Sequence, residues 1–209
     1  MNEIKNKSVQ TFIDELASKA PTPGGGSAAA VMGAQAAALI SMVCNLTLGK
    51  PKYAGVEDDM CALLEKSEAL RETLTQMIKA DIDVFDRLMA TYGLPKNSDE
   101  EKTARSEAIQ ATLKEATLIP LACAQACAET IALSRIAAEK GNTAVISDAG
   151  VAVMAGYGAL KSAALNVYIN ASGLKDRDFA DTQLAKLEAI LKGVDVAAEE
   201  VYQIVKAKL

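Results

Sequence analysis

The stretch PTPGGGSAAAVMGAQAAALISMVCNLTLG, residues 21–49, carries no charged side chain and consists largely of alanine and glycine. Prolines and three consecutive glycines break the chain at its start, and no strand alternation follows them. We therefore predict a helix from Ser27 to about Leu48. Because small side chains let helices approach closely, this helix is expected to be buried in a bundle or at a subunit interface.

The same uncharged run is long enough to raise the alternative of a membrane-spanning helix. Polar Gln35, Asn45 and Thr47 interrupt the run, and it lacks an aromatic belt. We therefore expect no membrane association, and recovery of the protein without detergent would test that expectation.

Helical periodicity also dominates the rest of the chain. Ser98, with Glu101 three residues later, has the pattern of a capping box, and Pro120 is expected to kink or split the helix that follows. Helices are predicted over residues 8–19, 27–48, 56–92, 98–140, 147–171 and 179–206. The sequence thus predicts one all-α domain, residues 1–209, built as an up-and-down bundle of long helices.

Charge and composition argue against several classes of function. Lys and Arg number 22 against 27 Asp and Glu, and the net charge of -5 offers no basic face for nucleic acid. The chain has no histidine, which removes the commonest general base and the commonest zinc ligand. We expect no metal site, and acid–base chemistry must fall to Asp, Glu, Lys, Tyr, Cys or water.

The cysteines and the start of the chain indicate the compartment. Cys44, Cys61, Cys123 and Cys127 lack a zinc-ribbon spacing and are expected to be buried as small hydrophobic side chains. The polar start MNEIKNKSVQ does not read as a signal peptide, which argues against a secreted disulfide framework. We expect a cytoplasmic protein.

Asp81 is the sharpest candidate for chemistry in the long predicted helix. It is the only polar member of an otherwise apolar seam, which comprises Leu70, Leu74, Met77, Asp81, Val84 and Leu88. A carboxylate there loses hydration, which is costly unless it has a partner or a task. A contact between helices, by hydrogen bond or salt bridge, is the alternative. Asp83, between Lys79 and Arg87, is predicted to belong to a solvated ion-pair ladder.

The glycines at the start of the uncharged helix are a second candidate site. Gly24, Gly25 and Gly26 leave backbone N–H groups free at a helix N-terminus, where an anion is favoured. No lysine follows them, as a phosphate-binding Walker loop would require, and no strand precedes them, as a dinucleotide-binding turn would require. A rigid turn that lets the helix pack tightly is the alternative.

Two amides lie on an otherwise apolar helix. Asn166 and Asn170 are four residues apart and so share a face. Buried amides need hydrogen-bond partners, and a flat heterocycle rich in donors and acceptors, such as a pterin, would supply them. An amide contact between helices is the alternative.

Two further pairs of polar residues have ordinary explanations. Ser147 and Asp148 fit an N-cap and an acid that complements the helix dipole. Lys50 and Lys52 follow a buried helix in a turn, where lysines are usually solvated, although they are also suited to hold a carboxylate.

Several short segments, taken together and in order, resemble the formimidoyltetrahydrofolate cyclodeaminase family from about residue 9 to about residue 192. They are PTPGGGSAAA (21–30), DIDVF (81–85), LPKN (94–97), EEK (100–102), KGN (140–142), SD (147–148) and NVYIN (166–170). The chain is more similar still to the stand-alone bacterial methenyltetrahydrofolate cyclohydrolases of that family. The segments that indicate this subgroup are SMVCNLTLGKPKY (41–53), TYGLPKNSDEEK (91–102) and EKGNTAVISDAGVAV (139–153).

The resemblance implies an all-helical homodimer that acts on a tetrahydrofolate without a cofactor. By the family's motif, the catalytic aspartate falls on Asp81. The same resemblance assigns the substrate pocket to a larger set, namely Pro23, Gly24, Gly25, Gly26 and Ser27 around the folate, Lys50 or Lys52 at its glutamate tail, and Asn142, Asp148, Asn166 and Asn170 at its pterin.

The implied reaction is hydrolysis of 5,10-methenyltetrahydrofolate to 10-formyltetrahydrofolate. Its one-carbon bridge is positively charged, so a carboxylate at Asp81 would stabilise the cation and take a proton from water. Formimidoyltetrahydrofolate cyclodeaminase, which releases ammonia, needs nearly the same pocket and stays open as an alternative. A non-catalytic helical assembly protein is a further alternative, and failure to bind folate would favour it.

Overall fold

A computed structural model describes residues 4–209, and residues 1–3 of the predicted domain lie outside the described part. Within that part the chain is all-α and contains no strand. Its helices are α1 (Val9–Leu16), α2 (Gly25–Asn45), α3 (Glu57–Tyr92), α4 (Asp99–Lys140), α5 (Ile146–Ser172), α6 (Arg177–Leu191) and α7 (Val194–Lys206). Three short 3-10 helices cover Ile4–Asn6, Pro51–Val56 and Thr143–Val145. The predicted helical bundle is confirmed.

The uncharged stretch forms α2, and one face of this helix is buried in the bundle. It packs against α3 on one side and α5 on the other, while α4 joins α3 to α5. Ala29, Ala36 and Ala37 are fully buried in these contacts, because an alanine side chain lets two helix backbones approach closely. Three of the four cysteines are likewise buried, whereas Cys61 is exposed.

The first two helices end earlier than predicted, at Leu16 and Asn45, and two predictions about breaks within helices are corrected. Pro120 does not split its helix, because α4 runs unbroken from Asp99 to Lys140 behind the capping box of Ser98 and Glu101. The last predicted helix is two helices, α6 and α7, separated at Gly193, whose φ of 75° lies in the left-handed region that favours glycine.

Three helical segments are long and apolar enough to cross a membrane by length and composition. These are Gly25–Asn45, Asp99–Lys140 and Thr143–Ser172. Between 44% and 56% of the most apolar window of each is buried inside the bundle. Much of their apolar character is therefore used in packing helix against helix.

Candidate functional site

Asp81 and Ser27 join α3 to the first turn of α2. The Ser27 hydroxyl donates a 2.8 Å hydrogen bond to Oδ2 of Asp81, and the Ser27 backbone N–H is a second hydrogen-bonding group at that carboxyl. Ser27 is fully buried and Asp81 is half-buried. The helix start thus holds the carboxylate with two donors and with its dipole.

Gly26 brings the backbone of α2 against the same carboxyl group. A Cβ atom at Gly26 would lie 2.1 Å from Oδ1 of Asp81, so any side chain there would displace the carboxylate. The glycine turn therefore lets the backbone of α2 come close to the Asp81 carboxylate. The anion it faces is a side chain of the protein itself.

Burial raises the pKa of the Asp81 carboxyl above its ordinary value, and the two hydrogen bonds from Ser27 offset part of that rise. Within residues 4–209 no Lys or Arg forms an ion pair with Asp81. A half-buried carboxylate without a cationic partner would be stabilised by a positively charged ligand.

A small hollow of about 10 Å³ adjoins Asp81. It approaches the size needed for one water molecule and is far too small for a pterin. Apart from Asp81, only apolar side chains and glycine line it, namely Gly26, Ala30, Met77, Ile119, Pro120, Cys123 and Ala163. Met77, Pro120 and Cys123 were not predicted as site residues, since no pattern in the sequence marks an apolar wall.

Asn166 also lies beside this cluster. Its Nδ2 donates to the carbonyl of Ser162 at 2.9 Å, and its amide would lie 3.7 Å from a Cβ atom at Gly25. Asn166, Gly25, Ser27 and Asp81 are therefore brought together around the first turn of α2.

Asn170 has a partner within the protein. Its Nδ2 donates to the carbonyl of Ala116 at 2.6 Å. Pro120, four residues after Ala116, has no N–H to offer that carbonyl. Asn170 thus supplies the hydrogen bond that Pro120 cannot, which explains why α4 stays unbroken. The geometry matches the alternative of an amide contact between helices.

Asn142 lies at the far end of α2 and is saturated with hydrogen bonds. It is 4% exposed. Its Nδ2 donates to the Leu46 carbonyl at 2.8 Å, and its Oδ1 accepts from the Ala144 N–H and the Tyr53 hydroxyl. Tyr53, which no sequence pattern marks, therefore links the 3-10 helix Pro51–Val56 to Asn142 and Thr143, just before α5.

Lys50, Lys52 and Asp148 share this far end. Both lysines are exposed, and the ammonium of Lys52 lies 5.3 Å from the ring centroid of Tyr53. Asp148 lies in the first turn of α5 as expected, but Ser147 is not the N-cap. Val145 takes that position, because the preceding 3-10 helix runs directly into α5.

The residues assigned to the site thus form two groups. Since α2 rises about 1.5 Å per residue, its 21 residues separate the groups by about 30 Å. Asp81, Asn166 and residues 23–27 lie at one end. Lys50, Lys52, Asn142 and Asp148 lie at the other, so one copy of the chain does not bring the assigned residues into one pocket.

The family model for formiminotransferase-cyclodeaminase matches residues 8–189. The chain belongs to this family. A methenyltetrahydrofolate cyclohydrolase from Methylorubrum extorquens is 58% identical over 204 residues, which are 98% of this chain and 98% of that protein. A formimidoyltransferase-cyclodeaminase from Rattus norvegicus is 30% identical over 98% of this chain but only 38% of its own length.

The helical architecture is also found in a solved structure of the family. The crystal structure of formiminotetrahydrofolate cyclodeaminase from Thermotoga maritima matches with a TM-score of 0.83 and 32% identity. The match covers 99% of this chain and 98% of that one. The bundle is thus the cyclodeaminase fold.

One prediction about charged residues on α3 needs correction. Lys79 pairs with Asp83 as expected. Arg87 instead pairs with Glu115 of α4 at 2.7 Å. Of the two ion pairs predicted for Asp83, only the one with Lys79 is therefore formed. The neighbouring helix offers Arg87 an acid, which spacing along one helix does not reveal.

Proposed function

We propose that this chain hydrolyses 5,10-methenyltetrahydrofolate to 10-formyltetrahydrofolate in one-carbon metabolism. The observation that carries the proposal is the 58% identity to the methenyltetrahydrofolate cyclohydrolase of Methylorubrum extorquens over nearly the whole of both chains. The formimidoyltransferase-cyclodeaminase of Rattus norvegicus and the formiminotetrahydrofolate cyclodeaminase of Thermotoga maritima are only 30% and 32% identical to this chain.

Asp81 is our candidate for the catalytic residue. The methenyl carbon lies between two nitrogens and carries positive charge, so a carboxylate without a cation of its own suits this bridge. A water molecule adds its oxygen to the carbon while Asp81 takes its proton. As the bond from the carbon to N5 breaks, the hydroxyl of the tetrahedral intermediate loses its proton to solvent and N5 receives the proton held by Asp81, which leaves the formyl group on N10.

Three features of the described residues support this role. The carboxyl group is held by Ser27 and cannot turn away without losing that bond. Burial raises the pKa of Asp81, which makes it a stronger base than an ordinary aspartate once it is ionised. The chain contains no histidine that could take its place.

The remaining expectations stand as parts of the same proposal. Lys50 or Lys52 holds the anionic glutamate tail, and Asn142, Asp148, Asn166 and the glycine turn contribute to the folate pocket. Asn142 and Asn170 have the weakest cases among the assigned residues, because the amide of Asn142 is buried and bonded at both ends and that of Asn170 is bonded to Ala116. The enzyme works as a cytoplasmic homodimer without metal, cofactor, nucleic acid or membrane.

The test follows the near-ultraviolet absorbance of 5,10-methenyltetrahydrofolate mixed with the purified protein. Loss of absorbance well above the buffer rate supports the cyclohydrolase. If the protein binds folate but does not accelerate the loss of absorbance, the assignment moves to the cyclodeaminase, which would release ammonia from the formimino substrate. No folate binding at all would favour a non-catalytic assembly protein.

A further inference from the structure

The loop that joins α2 to α3 carries Lys50 and Lys52 as two exposed cations. Within residues 4–209 neither ammonium group forms an ion pair, whereas Lys140 nearby is paired with Asp59. Two unpaired ammonium groups separated by one residue suit a ligand that carries carboxylates. Such a ligand binds more tightly if the loop already holds the lysines in place, because less freedom is then lost on binding.

The first attachment of the loop is buried and comes before both lysines. Thr47 is 1% exposed, and its hydroxyl accepts a 2.9 Å hydrogen bond from the Asn142 backbone N–H. The Asn142 side chain donates to the Leu46 carbonyl at 2.8 Å. Gly49, whose φ of 70° lies in the left-handed region, then turns the chain towards the lysines.

The second attachment comes directly after Lys52 and depends on one phenol. The Tyr53 hydroxyl accepts a 3.0 Å hydrogen bond from the Thr143 backbone N–H and donates to Oδ1 of Asn142 at 3.2 Å. Its oxygen also lies 3.2 Å from the Thr143 hydroxyl. Lys50 and Lys52 therefore lie between two attachments, and both of these end on the same two neighbouring residues.

The Tyr53 ring also contacts Lys52. The ammonium group lies 5.3 Å from the ring centroid, which is within the range of a cation–π interaction. The pKa of the phenol is lowered, chiefly by its hydrogen bonds with Thr143 and to a lesser degree by Lys52. Tyr53 thus joins the lysine to Thr143, because its ring faces the ammonium group and its hydroxyl bonds to the turn.

We propose that Tyr53 is a positioning residue, which holds Lys50 and Lys52 where they bind the carboxylates of the substrate's glutamate tail. The proposal rests on the proposed function for the ligand of the lysines. It also gives Asn142 a role, because this residue carries part of both attachments although its amide is saturated within the protein. Without the phenol hydroxyl the lysines are freer to move, which weakens substrate binding and leaves Asp81 unchanged.

Tyr53→Phe tests this role, because it keeps the ring beside Lys52 and removes only the hydroxyl. KM for 5,10-methenyltetrahydrofolate is expected to rise about threefold to tenfold, the usual contribution of a hydrogen bond, while kcat stays within about twofold of wild type. Tyr92→Phe is the matched control and should change neither constant, since Tyr92 is 45% exposed at the end of α3, outside both groups of site residues. An unchanged KM in Tyr53→Phe, or a loss confined to kcat, would overturn the proposal.

A double-mutant cycle separates positioning of the lysines from a general structural effect. Lys50→Ala/Lys52→Ala is expected to raise KM by itself. In that background Tyr53→Phe has no lysines to position, so it should change KM by less than about twofold. A further threefold to tenfold rise would mean that Tyr53 acts without the lysines and would overturn the proposal, as would an unchanged KM in the lysine double variant.

Binding of 5-formyltetrahydrofolate, measured by calorimetry, keeps the two proposals apart. Its Kd is expected to follow the same series, with a threefold to tenfold loss in Tyr53→Phe and no further loss when the lysines are absent. If wild type binds this folate but does not hydrolyse the methenyl substrate, the proposed function fails, and the Kd series still decides the role of Tyr53. Equal Kd values for wild type and Tyr53→Phe would reject the positioning role even where hydrolysis is found. Absence of both binding and hydrolysis in wild type would overturn both proposals.

Discussion

The Ser27 hydroxyl donates a 2.8 Å hydrogen bond to Oδ2 of Asp81 and thereby ties the start of α2 to α3. The glycine turn and the buried aspartate, two separate features of the sequence, are thus one structure. Gly26 lets the helix start approach the carboxyl group, and Ser27 holds it there. The chemical state of Asp81 consequently depends on residues more than fifty positions earlier in the chain.

Asp81→Asn is expected to lower kcat by about 10²–10⁴-fold, the usual contribution of a positioned acid–base group. Asp83→Asn is the matched control, since Asp83 is exposed, is paired with Lys79 and has no role in the site. Its activity should stay within about twofold of wild type, as is usual for exposed substitutions. Comparable losses in the two variants would contradict the assignment.

Asp81→Asn is also expected to be at least as stable as wild type near neutral pH. Because the folded pKa of Asp81 is raised by burial, folded wild type holds its proton more tightly than unfolded wild type. Its stability therefore falls as pH rises from the ordinary aspartate pKa through the raised one. Urea unfolding should show the two proteins converging in acid and separating above that window. A less stable Asp81→Asn at neutral pH would show that the carboxylate is structural.

Ser27→Ala should move the acid limb of the pH–rate profile to higher pH. The Ser27 hydrogen bonds lower the pKa of Asp81 against the effect of burial, so loss of the hydroxyl lets that pKa rise further. The base then needs a higher pH to ionise. The measurement is kcat/KM against pH after subtraction of the buffer rate. If the acid limb does not move, Asp81 is not the group whose ionisation controls activity.

Gly26→Ala is expected to abolish most activity while the protein stays helical, because the new Cβ would lie 2.1 Å from Asp81 Oδ1 and must push the carboxylate aside. Gly55→Ala is the control, since a Cβ there meets nothing within 4 Å. Circular dichroism and the absorbance assay together separate misplacement of the carboxylate from unfolding. An active Gly26→Ala would mean that Asp81 need not occupy its observed position.

Asn170→Ala should destabilise the protein by about 1–3 kcal/mol, the cost of leaving a buried carbonyl without its hydrogen bond. Pro120→Ala restores an N–H four residues after Ala116, so the same Asn170→Ala change should cost less in that background. Urea unfolding of the four proteins measures this coupling. If Asn170→Ala instead raises KM and leaves stability unchanged, the amide belongs to the pterin pocket.

Local features of the sequence anticipated much of the helical structure. The capping box at Ser98 and the length of the helix that ends at Tyr92 were read correctly, since caps and apolar periodicity act within a few residues. The break at Gly193 was missed because glycine inside an amphipathic pattern is compatible with a continuous helix. Pro120 does not split α4, because Asn170 donates the hydrogen bond to Ala116 that Pro120 cannot make. Asn170 lies fifty positions away in sequence, so no local pattern reveals it.

The amino-acid sequence by itself determined that this protein is helical, that α2 buries small side chains, and that Asp81 is an aspartate in an apolar seam. These follow from period, side-chain size and charge, which are properties of neighbouring residues. Only the tertiary structure decided which groups meet Asp81, and that Lys50 and Asn142 lie about 30 Å away at the other end of α2. Such distances depend on how whole helices pack against one another. That packing involves residues far apart in sequence, so local patterns at the two ends of a helix do not reveal it.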